Sequence, residues 1–165
     1  DDYDDLFVKI GRLKYYEDGT PEEIAQLPKL EALLKTMPKP TYNKVPQDTR
    51  TEWGGVKLGE SVSSEQLSLV YEKMGFWADD SSSRFSGDYK LGYVPNVVNG
   101  DKYSLSDDYE DLEHLDRVNE YIEVLQGGNE FPPIIFTEGG FHDGSHRAVS
   151  HKAVGRKKIL AFYSW

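Results

Sequence analysis

The chain contains no cysteine. That absence excludes a disulfide framework, a Cys-ligated zinc site and thiol catalysis, and it fits a reducing cytoplasm. Long apolar runs are missing too. No stretch approaches the roughly 20 residues of a membrane span, and none reads as a signal peptide. Basic residues are outnumbered, with 19 Lys and Arg against 29 Asp and Glu, a net charge of −10 and a pI near 4.8. A protein that coats duplex DNA neutralises many phosphates and is usually basic, so broad nonspecific DNA binding is disfavoured. Histidines number only four, and three of them fall within residues 142–151.

What is present suits a folded domain. The 165 residues are 38% hydrophobic and 13% aromatic, enough for a real core. Eleven tyrosines suit half-buried surfaces. Charge is distributed unevenly. Between Asp143 and Lys158, five bases (Arg147, Lys152, Arg156, Lys157, Lys158) face one acid, a balance of +4, so residues 1–142 carry −14. A basic element on an acidic body predicts a localised anion site rather than a nucleic-acid-coating surface.

Local signals divide the chain. Thr20 as N-cap, Pro21 at the first helical position and Glu23 closing a capping box begin a helix. Pro28 is expected to break or kink it before Leu30, Leu33, Leu34 and Met37 resume its apolar face. Residues 37–49 (MPKPTYNKVPQDT) read as a linker. A second helix starts at Ser63 with Gln66 in the capping-box position and stops at Gly75. Residues 78–88 form a polar loop, and YKLGYVPNVV gives only a weak strand signal because Gly92 and Pro95 interrupt it.

The C-terminal third is more explicit. SDDYEDLEHLDRVNEYIEVLQGG is an acidic helix with Leu115, Val118, Ile122 and Leu125 on one face, stopped by Gly127 and Gly128. FPPIIF reads as a short strand, TEGG as a turn, and FHDG as a second short strand or tight turn. SHRAVSHKAVG is a helix with Ser145 as N-cap and Gly155 beyond its end, and KKILAFYSW is a strand. The order of elements predicts an α/β (α+β) fold. We expect an N-terminal helical and irregular extension over residues 1–105, packed on a core over 106–165.

The segment FHDGSHRAVSHKAVG gathers groups that donate protons to an anion. A helix N-terminus offers unpaired amides and partial positive charge. Gly144 permits close backbone approach, and His146 and Arg147 fall in the first turn. His151 lies four residues after Arg147, on the same helical face. Asp143 could hold a divalent cation or orient a histidine. A zinc site of His142, His146 and His151 is conceivable by ligand type, although His142 is off the helical spacing. His114, in the acidic helix, reads as a solvated side chain. The plain alternative for the whole segment is an ordinary turn and cap that binds nothing.

With these residues in view, FPPIIFTEGGFHDGSHRAVSHKAVGRKKILAFY resembles the core of the ParB/sulfiredoxin superfamily, often labelled the ParB-like nuclease domain. PPIIF, DGSHR, AVSHKAVG and ILAFY occupy the places of that family's strand, loop, helix and final strand. The resemblance covers about fifty to sixty residues and implies a small mixed sheet with flanking helices. Ser145 stands where many relatives have a second histidine. The loop is not the CTP-binding form of chromosome-partitioning proteins, the sulfiredoxin cysteine is missing, and no helix-turn-helix follows. What remains is similar to the "DGHHR" branch, which includes ADP-dependent free serine kinases and uncharacterised proteins of phages and plasmids. The resemblance implies nucleotide binding at this loop.

We therefore expect a nucleotide-binding (ATP or ADP) enzyme performing Mg²⁺-dependent phosphoryl transfer or phosphate-ester hydrolysis. Gly144, Ser145, His146 and Arg147 would hold phosphates, with His151 and Arg117 in support. Asp143 would place the metal, and Asp143 and His146 would act in catalysis. Glu113, Asp116 and Glu120 are candidates for the general base. The acceptor would be a small molecule or a nucleic acid, in the cytoplasm (the host's, if phage-encoded). The alternatives are a ParB-like nuclease or DNA-processing protein, supported by the basic run GRKK, and a non-catalytic interaction module.

Overall fold

A computed structural model describes residues 2–16, 19–73, 87–96, 110–137 and 140–164. A two-stranded ribbon, β1 (Glu52–Trp53) and β2 (Val56–Lys57), precedes a five-stranded mixed sheet. The sheet comprises β3 (Ser61–Ser63), β4 (Asp88–Pro95), β5 (Ile134–Thr137), β6 (Gly140–Asp143) and β7 (Lys158–Ser164), ordered β3-β4-β7-β5-β6. β7 is its centre, antiparallel to β4 (Val94 opposite Ile159) and parallel to β5 (Ile134 opposite Ala161). The unbroken apolar run ILAF is what such a position requires, because both faces of a central strand are covered. The expected pairing of PPIIF with ILAFY is present. β3 and β4 precede residue 105, so the sheet draws on both of the expected segments.

Alternation along β7 sorts its side chains. Leu160 and Phe162 join Tyr89, Leu91 and Ile135 on one face, covered by Trp53 and Val56 of the ribbon and by Leu67 and Tyr71 of α4 (Ser64–Lys73, the fourth helix in chain order). Trp53, Tyr71 and Phe162 stack edge-on or tilted, with centroids 5.0–6.1 Å apart. Ile159 and Ala161 join Val94 and Ile134 on the other face, beneath Ala148. Ala148 belongs to α6 (Ser145–Ala153), which packs in turn on α5 (Glu110–Gln126) through Val149 and Val154 against Val118, Ile122 and Leu125. Each fully buried aliphatic side chain of this kind contributes about 1.5–3 kcal/mol. Strand β4 forms in spite of Gly92, and the reason is steric. A Cβ there would lie 2.8 Å from the Tyr163 ring of the neighbouring strand.

Helix ends follow chemistry readable in the sequence, with two corrections. Thr20 and Glu23 exchange backbone and side-chain bonds, as a capping box should, and Ser63 and Gln66 do the same before α4. The break after the first box falls at Gln26, between α2 (Pro21–Ala25) and α3 (Leu27–Thr36). Pro28 does not break a helix; it sits in the first turn of α3, where its missing N–H is no loss. The N-cap of α6 is Gly144 and not Ser145. Helices α5 and α6 end alike. Gly128 and Gly155 take φ of +87° and +88°, and the next amide bonds back to Val124 and His151 respectively. Gly75, the expected stop of α4, lies outside the described residues.

Two stretches have more structure than their composition announces. Helix α1 (Asp2–Gly11) continues into a π-helical turn, Arg12–Tyr16, burying Tyr3, Ile10 and Leu13 while three aspartates occupy its first turn. The 37–49 linker has no regular structure, yet it is strapped to the body. Val45 N–H donates to Val154 O, Gln47 Nε2 to Lys158 O, and Tyr42 and Val45 pack on the α5–α6 interface. Among the described residues, no helix is long and apolar enough to cross a membrane.

Candidate functional site

The DGSHR loop joins β6 to α6, so its geometry is dictated by the sheet. Gly144 adopts φ +105°, and a Cβ there would lie 2.5 Å from Ile134 Cγ2 and 3.0 Å from Arg147 Nη2. The glycine is therefore required by close approach to β5 as well as by its left-handed backbone. As the N-cap of the helix it opens, it supplies no capping side chain.

Arg147 reaches back across this turn. Its Nη1 donates to Pro132 O at 2.9 Å and Pro133 O at 3.0 Å, while the Tyr71 hydroxyl reaches the Pro133 carbonyl from the opposite face of the sheet. The prolines lack N–H groups, so their carbonyls are the polar handles available, and Arg147 uses them to fix α6 against the start of β5. His151 is 3% exposed. Its Nδ1–H donates to Arg147 O at 2.6 Å, and Phe131 lies 6.4 Å away. Burial pushes its pKa down to about 4, assisted by the Arg156 charge and opposed by the bond to Arg147. His151 is thus a neutral core residue. The helical spacing correctly places both residues on α6, but Arg147 turns to the strand and His151 to the core.

The contact that sequence reasoning missed is His114. Its Nδ1 meets Nε2 of His146, with ring centroids 4.6 Å apart and planes tilted by 33°. His114 is half-buried rather than solvated. The signal was available, because His114 lies one turn before Val118 on the face that packs against α6. One rung further along, Ser150 Oγ donates to His146 O at 2.7 Å and approaches Val118 O at 3.4 Å. The rungs His114–His146 and Val118–Ser150 set the two helices in register.

Of the proposed acids, the two whose side chains are described, Asp116 and Glu120, do not gather with this pair. Asp116 is exposed on another face of α5, where it lines a groove of about 530 Å³ with Asp5, Lys9, Arg12, Leu13 and Glu23. Arg117 and Glu120 are exposed. The side chains of Glu113, His142, Asp143 and Ser145 lie outside the described residues. Among the described residues, no group of three or more His, Asp or Glu is placed to hold a metal ion. His146 and His151 of the conceivable zinc set are separated, one facing α5 and the other the core.

A second polar cluster, absent from the sequence reading, anchors the strap. Arg156 is 4% exposed and forms a two-toothed pair with Glu130 at 2.6 and 2.7 Å, while its Nε donates to Pro46 O. Arg50 pairs with Asp48 at 2.7 Å and donates to Phe131 O, and the Tyr93 hydroxyl donates to Arg50 O. Burial would raise the Asp48 pKa, but bonds from Arg50 outweigh it and lower it. Burial and the Asp48 charge raise Tyr93 to about 12. Arg156 of the basic GRKK run is consumed here, so it is not a DNA-facing charge. No protein-family model, curated protein or solved structure matches this chain.

Proposed function

We propose that the chain is a nucleotide-binding enzyme that acts on a phosphate group at the start of α6, by phosphoryl transfer or phosphate-ester hydrolysis. One observation carries this reading: the N-cap of α6 is a glycine with no capping side chain, and His146 stands in the first turn beside a second imidazole. Uncapped amides at a helix N-terminus favour an anion, and an imidazole there can donate to phosphate oxygens as charge develops. The resemblance of PPIIF, DGSHR and ILAFY to ParB/sulfiredoxin-like cores supports ATP or ADP as the nucleotide. Arg147 serves as a positioning residue, holding the loop through Pro132 and Pro133. Mg²⁺ would accompany the nucleotide, with Asp143 as this chain's oxygen donor. The described donors are imidazole nitrogens, so the fit to Mg²⁺ rests on Asp143 alone.

The test is calorimetric titration with ADP and ATP, with and without Mg²⁺, alongside single-stranded and duplex DNA. Nucleotide binding that His146→Ala weakens by about 1.5–3 kcal/mol at unchanged melting temperature is the expected result. DNA binding without nucleotide binding would favour the nuclease alternative. No binding to either would leave an interaction module.

A further inference from the structure

The imidazole pair has a chemistry of its own. His114 and His146 come from different helices, yet one ring nitrogen of each is directed at the other. Two facing nitrogens can share only one proton between them. The same arrangement, once opened slightly by side-chain rotation, presents two lone pairs to a single cation. Both rings stand on a fixed base. Helices α5 and α6 are held one rung below by the close approach of Ser150 to Val118 O, and beyond that by packing of Ile122 and Leu125 with Val149 and Val154. Little backbone freedom remains to be lost when the two rings part slightly to admit a ligand.

We propose that His114 and His146 form a binding site for a borderline divalent cation of the zinc class, completed by water or by a substrate oxygen. Imidazole nitrogen suits Zn²⁺, Co²⁺, Ni²⁺ and Cu²⁺, whereas Mg²⁺ and Ca²⁺ select oxygen donors. Two protein ligands leave positions open, which characterises a site that exchanges ligands rather than a structural one. The helix N-terminus disfavours a cation locally, but residues 1–142 carry −14 and provide a compensating field. This site is distinct from the zinc set conceivable by sequence, because His151 is replaced by His114.

The inference stands apart from the nucleotide reading, since its test contains no nucleotide. The untagged 165-residue chain is titrated with Zn²⁺ alone, followed by ring-proton resonances of the four histidines. Expected are saturable shifts of His114 and His146, with His151 unmoved. His114→Ala and His146→Ala should each weaken binding at least about 10–100-fold, the scale on which even outer-shell changes weaken metal sites. If His114→Ala retains wild-type affinity, or if the His114 and His146 resonances stay still while Zn²⁺ binds or fails to bind, the assignment is overturned. The resonance measurement uses the unaltered protein, so the result does not depend on a variant folding.

Discussion

The two ends of helix α6 use the same residue types for opposite purposes. At its start, His146 is half-buried and faces another imidazole; five residues later, His151 is 3% exposed and bonds its own helix. Arg147 ties the first turn to backbone carbonyls, while Arg156, just beyond the last turn, is paired with a carboxylate. By residue type alone this segment reads as one localised anion site. Burial and partner decide instead, since a buried imidazole sheds its charge whereas a buried guanidinium must find an anion.

The sharpest way to break this contrast is at its buried end. Arg156→Ala should lower unfolding free energy by about 3 kcal/mol, toward the low end for breaking a buried pair because Glu130 is partly exposed. Denaturant unfolding measures it, and replacing both partners with Met should recover much of the loss. Next comes His151. Its folded-state pKa of about 4 lies below the ordinary 6.5, so the unfolded chain takes up a proton that the folded chain refuses. The resulting stability is complete above pH 6.5, declines as pH falls through the window to 4, and is gone below it, for a total of about 3 kcal/mol. His151→Asn keeps a donor toward Arg147 O but cannot titrate. Its stability should therefore fall less steeply across that window, and an unchanged slope would show that His151 is not neutral in the fold. The smallest effect belongs to the other end: His146→Ala should change stability by no more than about 1 kcal/mol, as partly exposed positions do. A larger loss would make His146 as structural as His151.

Much of the architecture was legible. The 3.6-residue period of Leu115, Val118, Ile122 and Leu125, the glycines after α5 and α6, and the ILAF run each specify an element locally, and each is present. Strand β4 was underread because its glycine is explained by Tyr163, seventy-one residues away, and long-range packing leaves no local mark. Helix α1 has no capping box of the kind at Thr20 or Ser63 to mark its start, although its three aspartates sit where a helix favours negative charge. At the site, the loop and helix start were readable, but side-chain direction was not. Arg147 turns to carbonyls supplied by Pro132 and Pro133, and His114 meets a residue thirty-two positions away. The Glu130–Arg156 pair joins residues twenty-six positions apart, and the Asp48–Arg50 pair sits at the end of a segment whose prolines read only as a linker.

The place of β7 in the sheet carries a consequence for biosynthesis. Among the described strands of the sheet it comes last in sequence, yet it lies between β4 and β5 and links the β3–β4 pair to the β5–β6 pair. Until residue 164 clears the ribosome, the nascent chain holds two separate hairpin-like fragments, each presenting an unpaired edge to solvent. The sheet must then close in one late, non-local step, which slows folding and prolongs the exposure of aggregation-prone edges. Growth of this molecule is gradual, but acquisition of its core is abrupt, and chaperone demand should concentrate in the interval just before that strand arrives.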